Sequence, residues 1–231
     1  EDVPAGLTPV EPVRVFDTRD GEPVLGGTTR AVGLPEPPAS AIGAVLSVTA
    51  LGPTEPTFLT VSPFGTGPGD VSSVNVEPGL GPTSNQLVVP LGDAQQVELF
   101  SNSGSVDVFV DLMGWMTAGD GASRADRTPV RLVDTRQPGG APLGPGETRS
   151  LPVVGPGEAV AVGLVITSVD AVEPTFLTAW GAGPKPLASV SNPQPHLTRA
   201  ANVIVPVDAD GRVHLFNNSG EVDVVIDLVG T

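Results

Sequence analysis

The sequence predicts an all-β protein built of two tandem Greek-key β-sandwiches, jelly-roll-like, with about eight strands each. Three observations predict it. The stretches 106–112 (VDVFVDL) and 222–228 (VDVVIDL) alternate with period two, and each follows an Asn/Ser/Gly turn. PVRVFDTR at 12–19 returns as PVRLVDTR at 129–136, and EPTFLT at 55–60 returns at 173–178, so the halves are collinear copies. The 29 Gly and 26 Pro punctuate short Val, Leu and Ile runs, and no amphipathic stretch is long enough for a helix.

On this reading residues 1–11 are an N-terminal extension, 12–116 the first repeat, 117–128 a linker of small, polar and charged residues, and 129–231 the second repeat. In the first repeat, strands are expected at 13–18, 29–33, 44–51, 57–62, 72–76, 86–91, 97–101 and 106–112. The second repeat follows suit, with 159–169 its most buried-looking strand. In the final strands, Val106, Val108, Val110 and Leu112, and Val222, Val224, Ile226 and Leu228, are expected to face a core. Asp107, Phe109 and Asp111, and Asp223, Val225 and Asp227, are expected on a wet face. The extension offers Val3, Leu7 and Val10 as apolar handholds. It reads either as a frayed terminus or as a segment that donates a strand to a neighbouring copy.

A net charge of −15 makes nucleic acid and anionic membrane poor partners. No apolar run approaches the roughly 20 residues that a spanning helix needs. Cysteine is absent, which excludes disulfides and thiolate chemistry. The opening EDVPAG suits a mature product after removal of an export signal, and the single lysine, Lys185, amid abundant Thr, Ser, Gly and Pro suits export. An extracellular or cell-surface location is therefore expected. The chain stops one residue after Gly230, so no appended catalytic domain or anchor is expected.

Charges continue an apolar row in the DTR signature. Alternation puts Val13, Val15, Asp17 and Arg19 on one face, and Val130, Leu132, Asp134 and Arg136 on its counterpart. Asp17, Arg19, Asp134 and Arg136 are expected to form structural ion pairs, with a ligand-binding arginine as the other reading. Asp107 and Asp111, like Asp223 and Asp227, stand two pleats apart on one side of a strand. Such a row reads first as a solvated or partner-facing surface, then as arginine-paired, and last as a calcium site, since calcium loops bunch their oxygens in a short turn.

His196 and His214 lack equivalents in the first repeat, and HExxH, GxSxG and Cys/His spacings are absent. Catalysis, cofactors and a resident metal are therefore not expected. The clusters at 65–69 and 139–140 carry prolines and precede no helix, which disfavours a phosphate cradle. Phe58, Phe100, Phe176 and Phe216 recur between copies and read as core, whereas Trp115 and Trp180 are unmatched and are the candidates for an exposed glycan platform.

The ordered set PxRhxDTR (12–19, 129–136), FLT (58–60, 176–178), SxxN, NxxG and DhhhDhhG resembles a duplicated domain of exported bacterial proteins. That domain is common in actinobacteria and recurs in tandem or beside secreted hydrolases. The resemblance covers nearly the whole chain and implies an accessory, non-catalytic role outside the cell, with no family active site to carry over. The expected function is a structural or adhesive protein that assembles with itself into a fibre, sheath or surface layer through strand edges and the extension. A carbohydrate-binding accessory module, taking cell-wall or extracellular glycan, and a calcium-stabilised adhesin are the alternatives.

Overall fold

The computed structural model describes residues 5–69, 71–119 and 126–231. The chain divides into two compact units, Glu1–Ser123 and Arg124–Thr231. Among the described residues there are sixteen strands, one 3₁₀ turn (Asp93–Gln95), and no helix long and apolar enough to cross a membrane.

Unit 1 contains β1 (Ala5–Asp17), β2 (Val24–Leu25), β3 (Thr28–Val32), β4 (Ala41–Leu51), β5 (Thr57–Pro63), β6 (Val74–Val76), β7 (Thr83–Pro90), β8 (Val97–Ser101) and β9 (Ser105–Ala118). One sheet runs β1-β9-β4-β7, with β2 also against β9, and the other runs β3-β8-β5-β6. The chain passes from one sheet to the other at almost every connection, which is the wrapping of a jelly roll.

Unit 2 repeats the plan with β10 (Asp126–Asp134), β11 (Thr148–Pro152), β12 (Ala161–Val169), β13 (Leu177–Trp180), β14 (Arg199–Pro206), β15 (Arg212–Asn217) and β16 (Asp223–Gly230). Its sheets run β10-β16-β12-β14 and β11-β15-β13. The counterparts of β2 and β6 shrink to single bridges, Leu143 to Val222 and Leu177 to Ser191. Where unit 1 has Val74 and Val76 in β6, unit 2 has Ser191 and Pro193, and a proline has no N–H to give a ladder.

The cores are valine and leucine ridges facing each other across the two sheets. In unit 1, Leu46, Val48, Val108, Val110 and Leu112 meet Val32, Leu59 and Leu99; in unit 2, Leu164, Ile166, Val224, Ile226 and Leu228 meet Leu151, Leu177 and Leu215. Each such side chain contributes about 1.5–3 kcal/mol by leaving water.

The first strand of each unit departs from a simple two-residue period. Pro9 pairs with Gly114 and the next pair is Val13 with Leu112, so residues 10–12 stand opposite Met113 alone. Arg14 then pairs with Asp111 and Phe16 with Val110, which leaves Val15 as an extra residue. Unit 2 repeats both irregularities, at 127–129 and at Leu132. These bulges correct the expected faces: the extra Val15 resets the alternation, so Arg14 and Asp17 come to the side of Asp111.

Two boundaries also change. Residues 5–11 are the first half of β1, paired with β9 of their own unit from Ala5 opposite Ala118 to Pro9 opposite Gly114, and are not a separate extension. Leu7 and Val10 are half-buried there, while Val3 lies outside the described residues. The expected linker 117–128 likewise loses both ends to strands, because β9 runs to Ala118 and β10 starts at Asp126. Polar composition concealed this pairing.

Leu59 is fully buried between the sheets of unit 1. Leu59→Ala is expected to lower unfolding stability by about 2–5 kcal/mol, measured by urea denaturation of the whole chain.

Candidate functional site

The PxRhxDTR signature runs from the first strand of each unit into the turn after it, DhhhDhhG lies on the last strand, and antiparallel pairing of β1 with β9, and of β10 with β16, brings them together. Arg14 forks onto Asp111, with Nε donating to Oδ1 at 2.6 Å and Nη2 to Oδ2 at 3.3 Å, while its Nη1 donates to Asp17 at 2.8 Å. Arg19 closes over Asp17, Nε to Oδ1 at 2.9 Å, and its backbone N–H caps the same oxygen at 3.1 Å. Thr18, between them, donates to Asp107 at 2.9 Å and accepts the Val108 N–H at 2.9 Å. Above the sheet, the Arg14 and Arg19 guanidiniums lie 4.1 and 4.6 Å from the centre of the Phe109 ring.

Unit 2 builds the same network. Arg131 forks onto Asp227 at 2.7 and 3.1 Å, Arg136 onto Asp134 at 2.8 Å through both Nε and Nη2, and Thr135 donates to Asp223 at 2.6 Å and accepts the Val224 N–H at 2.9 Å. Val225 stands where unit 1 has Phe109, so the guanidiniums there cover no ring. The expected wet face is thereby corrected in both units: Asp111 is 1 % exposed and Phe109 is buried in unit 1, and Val225 is buried in unit 2. The aspartates of both rows are taken by arginine and threonine side chains.

Electrostatics separates these acids. The Arg19 fork holds the Asp17 carboxyl far below the usual carboxylate range, and Arg136 does the same for Asp134. Burial pushes Asp111 the other way, above its ordinary value, with Arg14 opposing. In unit 2 the backbone N–H of Gly144 lowers Glu147, helped by Arg149.

A second repeated latch explains EPTFLT. Thr57 Oγ1 accepts the Ser103 N–H at 2.9 Å, and Ser103 Oγ donates to the Pro56 carbonyl at 2.8 Å; Thr175, Ser219 and Pro174 repeat both bonds at 2.9 and 3.0 Å. Each latch pins the Asn-Ser-Gly turn, whose Gly104 and Gly220 have positive φ, against the strand that follows the EPT segment. In unit 2 the fully buried Asn217 adds bonds to the Leu143, Gly144 and Gly220 carbonyls.

Neither tryptophan is an exposed platform. Trp115 is 4 % exposed and belongs to the unit 1 core, and Trp180 is 7 % exposed, its ring tilted against that of His214 with ring centres 5.4 Å apart. Both sit on strands whose neighbours pack over an indole, which a tryptophan unmatched between copies could not reveal. Sequence reasoning also passed over Arg14, Arg131, Thr18 and Thr135 as partners, although the first arginine is written into the repeated motif. His196 lies on the surface 3.6 Å from Asp170, and the described residues contain no group of three or more His, Cys, Asp or Glu side chains placed to hold a metal ion.

No family model and no curated protein matches the chain. Among solved structures, it is similar to the N-terminal CBM22-1-CBM22-2 tandem domain of Paenibacillus barcinonensis Xyn10C, at 11 % identity and TM-score 0.27 over 97 % of this chain and 94 % of that one. It is also similar to the STIV MCP, at 7 % identity and TM-score 0.27 over 98 % of this chain and 96 % of that one. At these TM-scores neither likeness bears on function.

Removing Arg14 strands a buried carboxylate, whereas removing Arg131 leaves Asp227 with 21 % of its side chain in water. Arg14→Ala is expected to cost about 3–5 kcal/mol, and Arg131→Ala much less, by urea denaturation. Acid acts in the same sense on Asp17, Asp134 and Glu147: their folded pKa values are depressed, so the stability they contribute is present above pH about 4–4.5 and is lost as pH falls below it. Asp111 acts in reverse, since a raised pKa favours the folded state as pH falls. Trp180 fluorescence in unit 2 is therefore expected to report unfolding at a higher pH than Trp115 fluorescence in unit 1, each followed in the variant lacking the other indole.

Proposed function

We propose that the chain is a non-catalytic structural and adhesive protein of the cell exterior, working through its surfaces and assembling with further copies of itself. The observation that supports this reading is the closed network of the signature. In each copy the recurring arginine, aspartate and threonine side chains bond one another, so the motif that defines the repeat is spent on holding it together. What differs between the copies, and is turned outward, is left for recognition.

Addition of residues 5–11 to a neighbouring copy is not the route we favour. That segment already pairs with β9, and the open edge of β1 carries Pro9 and Pro12 beside a bulge, features that blunt an edge against further strands. Copy-to-copy contact through sheet faces and loops suits exposed apolar side chains such as Val88 on β7 and Leu187. The net charge of −15 opposes such contact until salt screens it, and the screening length is about 8 Å at physiological ionic strength.

Self-association is therefore expected to rise with ionic strength. Sedimentation and negative-stain microscopy of the chain at low and high sodium chloride should give regular multimers in the salted sample. A monodisperse monomer at every salt and protein concentration would count against the assembly reading.

A further inference from the structure

The outer face of the β11-β15-β13 sheet in unit 2 differs in kind from its counterpart in unit 1. In unit 1, Glu98 on β8 accepts the N–H groups of Gly65 and Gly67 and the Ser62 hydroxyl, and Thr60 donates to the Val71 carbonyl at 2.8 Å. The following loop is thus tied down over that sheet. In unit 2, His214 stands in place of Glu98 and Trp180 in place of Ser62, and neither bond set is made.

The replacement leaves a polar atom stranded. Thr178, equivalent to Thr60, is 1 % exposed, and among the described residues its hydroxyl is the buried side-chain polar atom without a hydrogen-bond partner. Such a group is costly unless something supplies its bond. It pairs across the ladder with Phe216, one step from the Trp180–His214 ring pair.

Around it, Phe216, His214 and Arg212 follow one another along one side of β15, about 7 Å apart, all half-exposed. His214 Nε2 is 3.5 Å from Asp208 Oδ2. Arg212 gives Nε and Nη2 to Ser150 on β11, and its Nη1 makes no hydrogen bond among the described residues. Lys185, the one lysine of the chain, rides on the exposed 182–187 loop with Nζ 4.1 Å from the centre of the Phe216 ring.

We propose that this face of unit 2 binds a neutral saccharide chain. The rings of Phe216 and His214, the latter backed by Trp180, offer a surface for the C–H face of a sugar; Arg212 and Lys185 donate to its hydroxyls and Asp208 accepts from one. Entry of the sugar displaces the Lys185 ammonium from Phe216 and brings a hydroxyl to Thr178. A neutral rather than an acidic chain is chosen because the −15 charge of the protein repels polyanions. The proposal does not depend on self-assembly.

The test is calorimetric titration of the unaltered chain with neutral hexasaccharides of glucose, xylose and N-acetylglucosamine in β-1,3 and β-1,4 linkage, and with oligogalacturonate. Saturable binding of at least one neutral probe is expected, weakened about tenfold or more by His214→Ala. Thr178→Val, which keeps the shape of the side chain, is expected to weaken binding several-fold without lowering the melting temperature. A purely structural threonine would leave the affinity unchanged, and that result would overturn the proposal. Failure of every neutral probe up to about 10 mM would overturn it as well, as would preference for oligogalacturonate.

Discussion

A guanidinium fork between the first and last strands of each unit is the constraint on which the rest of the architecture depends. Arg14 and Asp111 are 97 residues apart in sequence and Arg131 and Asp227 are 96 apart, yet each pair spans adjacent strands. The same first strand carries two bulges against its partner, which leave its register poorly specified by hydrophobic alternation alone. A slip would separate the fork, strand Asp111 in the unit 1 sheet, and turn Phe16 away from the core it packs against. The ion pairs therefore specify register where the apolar pattern is interrupted, and the threonine beside each pair ties the next backbone N–H to the same strand.

The fold was legible because the signals that create it are local and doubled. Seven of the eight expected strands of unit 1 overlap long or well-paired strands, the short 72–76 run is reduced to Val74–Val76, and only the two-residue β2 was passed over. The jelly-roll wrapping followed from strand count and turn chemistry. What escaped the sequence was whatever a bulge or a neighbour decides. Val15 and Leu132 broke the period that assigned Asp17 and Asp134 to a face, so Arg14 and Arg131 were not recognised as the partners of the outer aspartates. Trp115 and Trp180 looked like exposed platforms because burial belongs to the surroundings of a residue and not to its type. The segment 5–11 looked like a tail because its prolines and polar residues hide a strand that pairs at the edge of the sheet.

Duplication gives the same skeleton to both units and lets other positions vary. The brace, the EPT latch and both bulges are common to them. The sheet opposite the brace is where they part: a buried carboxylate tying down a glycine loop in one, an aromatic and basic strip over an unsatisfied hydroxyl in the other. A chain whose shared motif is consumed internally can change these outer positions with little loss to its core. Function is accordingly sought where the copies differ.

The central claim is that the signature acts as a brace, and a double-mutant cycle on Arg14 and Asp111 tests it most directly. Replacing both with apolar residues of similar size, Arg14→Met with Asp111→Leu, should give a chain more stable than either single variant, with a coupling of about 0.5–3 kcal/mol. Additive effects within experimental error, or single variants as stable as the parent, would contradict the account.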